Sequence, residues 1–256
     1  SGMDEDTYLE GIKNDYKLNA LNTNGYKWQS IILGSTLQVQ SNTNIDLDSN
    51  NDSFNNLVFQ RSKLILDSSA VISSNTGKGL VIGSTEDANF SKGGSGNAET
   101  GYEIDGKISI LGGTVLKQAI ALYTSYGHIK IGATGEVSVD NGIGAYGVNG
   151  SEILNKGKIE IKKSGMGIAG IAHKINSDGT PDNSYENYGT DVNEATEVLR
   201  IDNQGNIVVG NDSIGIYAEN NMNISKFRAV VNNSGIIKTG DNSVGIMLKA
   251  TLNNSA

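Results

Sequence analysis

The segment NQGNIVVGNDSIGIYA, residues 203–218, recurs as NSGIIKTGDNSVGIML at residues 233–248. Each copy opens with an Asn-x-Gly-x-Ile phrase and continues into a Ser-x-Gly-Ile phrase, and ten residues separate the two glycines. An earlier Asn-x-Gly-x-Ile phrase at 155–159 lies at the same distance before Gly167. Self-similarity at a fixed spacing is the mark of a solenoid, in which each repeat buries its apolar side against its neighbours.

The second phrase indicates the length of one repeat. Its central small residues recur at intervals of 23, 23, 48 and 30 residues and are Ala121, Gly144, Gly167, Gly215 and Gly245. We interpret the two longer intervals as one 23-residue period plus an insertion. The sequence therefore predicts coils of about 23 residues.

The local pattern inside each repeat favours strands over helices. Apolar and polar residues alternate at period two, which is typical of a strand with one buried side, in the pairs Val137/Val139, Ile159/Ile161 and Ile207/Val209. Glycine occurs 33 times and asparagine 31 times, but proline only once, as expected for tight turns between strands that need every backbone N–H. We predict an all-β fold, a right-handed parallel β-helix with three short strands per coil. An antiparallel sandwich, the alternative, does not predict this register.

The asparagine of each Asn-x-Gly phrase is expected at a turn, for two reasons. Asparagine tolerates the left-handed backbone region, and its amide can bond to the same amide one coil away.

Two segments depart from the repeat, and the N-terminus lacks it. Residues 84–101 and 172–200 are predicted to be insertions, because they are polar and the second contains Pro181. Residues 1–25 are interpreted as an expression scar at Ser1-Gly2 followed by a cap over the open end of the solenoid. Residues 26–256 form the predicted β-helix.

Composition bears on several function classes. The 20 basic residues are scattered in a chain of net charge −8, which argues against a nucleic-acid partner. There is no cysteine and hence no disulfide framework, and no apolar run approaches the length of a membrane helix.

A β-helical polysaccharide lyase or hydrolase would need clustered carboxylates with a basic residue on one face, whereas this chain has three arginines and no aspartate column at the repeat spacing. We therefore expect no enzymatic activity and no cofactor.

A metal site is also not expected. The series Asp46-x-Asp48-x-Asn50-x-Asp52 imitates the start of a calcium-binding EF-hand loop, but Asn51 and Leu57 stand where that loop needs glycine and glutamate. A solvated turn is the simpler interpretation. The two histidines, His128 and His173, have no cluster of partner ligands around them in the sequence.

Tyrosines are the candidate ligand-binding residues. If strand alternation holds, residues 120, 143, 166, 214 and 244 (Ile120, Ile143, Met166, Ile214 and Val244) point inward. Tyr123, Tyr146 and Tyr217 then point outward beside a strip of small residues, which would suit a sugar ring or a peptide. The alternative is a tyrosine ladder that only stabilises coil stacking. Tyr185 and Tyr188 in the second insertion are further candidates, because aromatic residues on loops often carry recognition.

The paired phrases, best seen at 203–218 and 233–248, resemble the passenger repeats of large type Va autotransporter adhesins of fusobacteria. The resemblance covers roughly residues 69–256 and carries no catalytic motif. It implies a secreted passenger displayed on the bacterial outer membrane, where it attaches to a host or bacterial surface glycan or protein receptor. This segment is expected to be monomeric. A polysaccharide-cleaving β-helix and a structural spacer stalk are the alternatives.

Overall fold

The computed structural model describes residues 31–33, 36–48, 56–60, 63–83, 97–125, 127–148, 150–172, 197–221 and 227–251. Within these ranges every regular element is a strand, and the strands form three sheets. The cap predicted for residues 1–25 lies outside the described residues.

The three sheets take one strand each from successive coils. Sheet A contains β1 (Ile31–Leu33), β4 (Asn56–Gln60), β7 (Gly79–Gly83), β10 (Ala119–Ser125), β13 (Gly142–Val148), β16 (Met166–Ala172), β19 (Ile214–Asn221) and β22 (Val244–Thr251). Sheet B contains β2 (Thr36–Val39), β5 (Lys63–Leu66), β8 (Asn97–Ile104), β11 (Gly127–Ile131), β14 (Glu152–Asn155), β17 (Glu197–Asn203) and β20 (Phe227–Asn233). Sheet C contains β3 (Asn44–Asp46), β6 (Val71–Ser74), β9 (Lys107–Ile110), β12 (Glu136–Val139), β15 (Lys158–Lys163), β18 (Asn206–Asn211) and β21 (Ile236–Thr239).

Every neighbouring pair in the three sheets is parallel, so the predicted parallel β-helix is confirmed. The predicted coil length is confirmed where no insertion intervenes, because Ile120 pairs with Ile143 and Ile143 pairs with Met166, each 23 residues further on. Met166 pairs with Ile214 across the predicted second insertion.

Both predicted insertions are shorter than the sequence suggests. β8 already begins at Asn97 and β17 at Glu197, so residues 97–101 and 197–200 belong to strands of sheet B. Residues 84–96 and 173–196 lie outside the described part of the chain.

The core is a set of straight columns, one residue per coil. In sheet C, Ile108, Val137, Ile159 and Ile207 stack in register and are fully buried. Alternate residues of these strands point outward, as the period-two pattern predicts. Burying each aliphatic side chain contributes about 1.5–3 kcal/mol, which is how a chain without cysteine stabilises a solenoid.

The prediction of the inward column in sheet A was wrong. Its members are Ile120, Ile143, Met166, Ile214 and Val244, which stack in register but are partly or largely exposed. The reason lies in the next two residues, since Gly144 and Ala145 both face the core. A Cβ on Gly144 would lie 2.8 Å from Cγ2 of the buried Ile159, and Ala145 is fully buried. Two consecutive inward residues break the alternation, so Ile143 faces out.

The asparagines of the Asn-x-Gly phrases form the predicted amide ladder. Nδ2 of Asn155 donates to Oδ1 of Asn203, and Nδ2 of Asn203 donates to Oδ1 of Asn233, both at 2.7 Å. None of the three is among the residues with positive φ, so the prediction of a left-handed conformation was wrong. The glycines that follow are needed for close packing, since a Cβ on Gly205 would lie 2.2 Å from the carbonyl oxygen of Gly157.

Candidate functional site

The outer surfaces of sheets B and C are polar and charged. On sheet B, Lys63 pairs with Glu103 at 2.8 Å, and the hydrogen bond from Lys63 lowers the pKa of that carboxyl below its usual value. On sheet C, Lys107 pairs with Glu136 at 3.2 Å across neighbouring coils. Such solvent-exposed ion pairs contribute little to stability, and the outer surfaces of sheets B and C stay hydrated.

The outer surface of sheet A is different and is the candidate site. We call it the apolar face and define it by two rows of outward residues, which are Ile120, Ile143, Met166, Ile214 and Val244, and Tyr123, Tyr146, Ala169, Tyr217 and Met247. Neither row contains a charged residue. At the usual strand separation the rows run about 19 Å along the solenoid. A contiguous apolar strip on one side of an otherwise charged surface is typical of an interaction site.

The predicted outward position agrees with the structure for Tyr146 and Tyr217, whereas Tyr123 stacks in register with Tyr146 but is shielded from solvent. The ring of Tyr146 packs edge-on against that of Tyr123 with centroids 5.1 Å apart. Tyr123 is almost fully buried, whereas Tyr146 and Tyr217 are partly exposed. Ala169 separates these two tyrosines in the row. A ligand on the apolar face would therefore contact Tyr146 and Tyr217 before Tyr123.

Polar groups border the tyrosine row at its C-terminal end. The hydroxyl of Tyr217 donates to Oε2 of Glu219 at 2.7 Å, and Nζ of Lys249 lies 3.7 Å from Oε1 of the same carboxylate. Burial raises the pKa of Tyr217, and the hydrogen bond to Glu219 raises it further. Burial also raises the pKa of Tyr146, with a smaller contribution from the charge of Glu219. Both phenols thus stay protonated at neutral pH.

The strip of small residues does not lie beside the tyrosines, and that prediction was wrong. A Cβ on Gly144, Gly167 or Gly215 would meet the Cγ2 atom of the isoleucine that it faces inside the core. Ala121 is fully buried as well. These residues let the sheet A strands approach sheet C closely, and the outward neighbours of the tyrosines are the aliphatic residues of the first row.

A short loop before β10 adds an exposed apolar tip that sequence reasoning missed. Thr114 and Lys117 exchange backbone hydrogen bonds, and Leu116 between them is 99% exposed. The carboxylate of Asp140 accepts hydrogen bonds from the amides of Gly112 and Gly113 and so fixes the base of the loop. The sequence signal for it is the lengthened interval between Ile108 and Val137, which pair in sheet C.

Two of the predicted ligand-binding residues, Tyr185 and Tyr188, lie outside the described residues.

Asp48, from the EF-hand-like series, has a structural role. It accepts hydrogen bonds from the hydroxyls of Ser74 and Thr76 and from the amide of Asn75, so its oxygens join neighbouring coils. Burial alone would raise the pKa of Asp48, but these bonds and Lys78 outweigh it and lower the pKa.

Neither a metal-binding cluster nor a membrane-spanning helix occurs among the described residues. They contain no group of three or more histidine, cysteine, aspartate or glutamate side chains placed to hold a metal ion. Within the same ranges, no helix has the length and apolarity needed to cross a bilayer.

Comparisons with known proteins do not assign this chain to a family. No protein-family model, no curated protein and no solved structure matches the chain.

Proposed function

We propose that this chain is a non-catalytic adhesin segment that binds a receptor through the apolar face of sheet A. The contrast between the three outer surfaces carries the proposal, because sheets B and C present charge while sheet A presents aliphatic and tyrosine side chains. Rigid aromatic groups give a large contact area at low entropic cost. The resemblance of the repeats to autotransporter adhesins supports the same assignment and adds a bacterial outer-membrane location, with a secreted passenger exposed on the cell.

The receptor that suits this face is a glycan or a protein on a host or bacterial cell. The face is flat and narrow, so it offers less area than a stable protein–protein interface usually buries. Tyr217 and Glu219 supply hydroxyl and carboxylate groups at its border, as apolar binding sites with a few placed polar groups do. We therefore expect modest affinity per site and stronger attachment when many copies are displayed.

The test is binding to a glycan array and to whole cells, with a matched pair of variants. Ile143→Glu places a charge on the apolar face, and Ser138→Glu places the same charge on the outer surface of sheet C. We expect Ile143→Glu to reduce binding at least about tenfold, the effect of losing roughly 1.4 kcal/mol, while Ser138→Glu binds like the unmodified chain. Circular dichroism establishes that both variants are folded.

Each other outcome assigns a different function. Equal loss in both variants would remove the apolar face from the proposal. Release of a cleaved polysaccharide would make the chain an enzyme, and absence of binding to any glycan or cell would make it a spacer. Deleting residues 176–194 with a Gly-Ser bridge tests the predicted insertion separately, because unchanged binding would exclude Tyr185 and Tyr188.

A further inference from the structure

The loop of residues 111–118, between β9 and β10, carries the most exposed large aliphatic side chain in the described part of the chain. This is Leu116, which is 99% exposed, and Val115 beside it is 69% exposed. We call these two residues the tip. Leu111, at the start of the loop, is 42% exposed. Adjacent aliphatic residues on a projecting loop are unlike the single exposed apolar residues of an ordinary surface, and they indicate an interaction site.

The loop is held at its base, so the exposure of the tip is not caused by a loose chain end. The amide of Gly77, in the preceding coil, donates to the carbonyl of Leu111 at 2.6 Å. The carboxylate of Asp140, in the next coil, binds the two glycine amides that follow. Nε2 of Gln118 donates to the carbonyl of Ser164, two coils further on, at 2.6 Å. These bonds fix the position of the loop on the solenoid and leave the tip uncovered.

Lysines lie beside the tip on one side. The loop contains no acidic residue, and Lys117 follows the tip directly. Lys162 and Lys163, at the end of β15, belong to the same corner of the solenoid, because Gln118 bonds to the residue that follows them. All three lysines are exposed. At the usual strand separation, two coils correspond to about 10 Å, so an apolar tip and three cationic groups share one small region of the surface.

The described carboxylates nearest to this corner are engaged in hydrogen bonds or lie further away. Asp140 accepts hydrogen bonds from three backbone amides. Asp48, two coils before the loop, lies 3.8 Å from Nζ of Lys78 and accepts three hydrogen bonds. Asp212 is exposed but follows the partner of Lys163 in the next coil, three coils from the loop. The corner therefore combines apolar and basic character within a chain of net charge −8.

We propose that this loop inserts into the interface of a phospholipid bilayer that carries anionic headgroups. Val115 and Leu116 enter the boundary between headgroups and acyl chains, and the three lysines contact the anionic groups of the lipids. A bilayer accommodates a convex tip without a complementary pocket, whereas a protein partner would need a pocket for two adjacent aliphatic side chains with an acidic border. The contact uses none of the residues of the apolar face, so it is a second attachment beside the proposed receptor.

The test is cosedimentation with vesicles of phosphatidylcholine that contain about 30% phosphatidylserine, compared with vesicles of phosphatidylcholine alone. We expect binding to the mixed vesicles to be at least about tenfold stronger than binding to the neutral ones. Leu116→Ser should weaken binding to the mixed vesicles at least about tenfold, because its aliphatic surface no longer leaves water. The variant should keep its unfolding midpoint, since this side chain is almost fully exposed. Ile236→Ser is the matched control, because it removes a half-exposed aliphatic side chain from the outer surface of sheet C, and its binding should be unchanged.

The lysines are tested by a matched pair of triple variants. Glutamine at positions 117, 162 and 163 should weaken binding to the mixed vesicles at least about tenfold and reduce its dependence on salt. The control changes the net charge by the same amount at three exposed lysines on the outer surfaces of sheets B and C, which are Lys107, Lys130 and Lys238. We expect the control to bind within about threefold of the unmodified chain.

Insertion itself is measured by fluorescence. Leu116→Trp is made in a Trp28→Phe background, which removes the only native tryptophan. The emission of the introduced indole should shift to the blue on mixed vesicles and should be quenched by lipids with brominated acyl chains. An indole that stays accessible to a water-soluble quencher on the vesicles would contradict insertion.

Three further results would overturn the proposal. The first is equal binding of Leu116→Ser and the unmodified chain to mixed vesicles. The second is equal loss in the two triple variants. The third is loss of cell binding in Leu116→Ser although the unmodified chain binds no vesicles, because that would assign the tip to a protein partner. Vesicles contain neither glycan nor protein, so none of these results bears on the receptor proposed for the apolar face.

Discussion

The asparagine ladder makes a quantitative prediction that depends on how many of its members are replaced. Asn203→Leu removes the acceptor of the buried Asn155 amide and the donor to Asn233, both at 2.7 Å. A buried donor without a partner costs about 1–3 kcal/mol, and the loss of the second, partly exposed bond costs about 1 kcal/mol. We therefore expect the single substitution to lower the free energy of unfolding by about 2–4 kcal/mol.

Replacing Asn155, Asn203 and Asn233 together by leucine should cost less than the single change. No side-chain amide then lacks a partner, and the same column already carries Ile104 and Ile131 in earlier coils. The main remaining loss is the hydrogen bond from the buried Gly157 amide to Oδ1 of Asn155. The bonds from the three side-chain amides to backbone carbonyls are long, at 3.4–3.5 Å, and contribute little. About 1–3 kcal/mol is therefore expected, less than for the single variant.

Urea unfolding followed by far-UV circular dichroism measures all of these variants, provided that the slope against urea is unchanged. Asn232→Ala is the matched control, since this exposed neighbour of Asn233 lies outside the ladder, and a change within about 0.5 kcal/mol is expected. A triple variant that is less stable than the single one would refute the reasoning, because the penalty would then not come from an unpaired amide.

The remaining predictions concern the strand faces and a carboxylate between coils. Ile159→Asp should lower the free energy of unfolding by several kcal/mol, because an unpaired charge is placed in the core. Ile143→Asp, on the apolar face, should lower it by only about 1 kcal/mol. Equal losses in urea titrations would contradict the outward position of Ile143. Asp48 has a lowered pKa in the folded chain, so its contribution to stability is complete above its ordinary value of 3.8 and is lost as the pH falls through the folded value. The difference in unfolding midpoint between the unmodified chain and Asp48→Asn should accordingly shrink between about pH 5 and about pH 2, and a difference that stays constant over this range would show that the carboxylate charge is not involved.

The sequence by itself determined the coil and most of its core. The recurrence of Gly157, Gly205 and Gly235 ten residues before the second phrase indicated a solenoid, and the alternation around Ile159 and Ile207 identified the strands of sheet C and their buried side. Both signals are local, since period-two alternation follows from the geometry of one extended strand. The amide ladder was predictable for the same reason, because a residue repeated once per coil must stack on its own copy.

Only the tertiary structure decided which side of the sheet A strands faces the core. Ala145 and Gly144 both point inward because the strand packs so closely against Ile159 that a side chain at 144 has no room. No periodicity in the sequence records a close approach between two different sheets, so Ile143 was assigned to the wrong side. The outward positions of Tyr146 and Tyr217 agree with the prediction because the break in alternation lies before them. The apolar face exists only once the coils are stacked, since it depends on which residues lie in register in neighbouring coils.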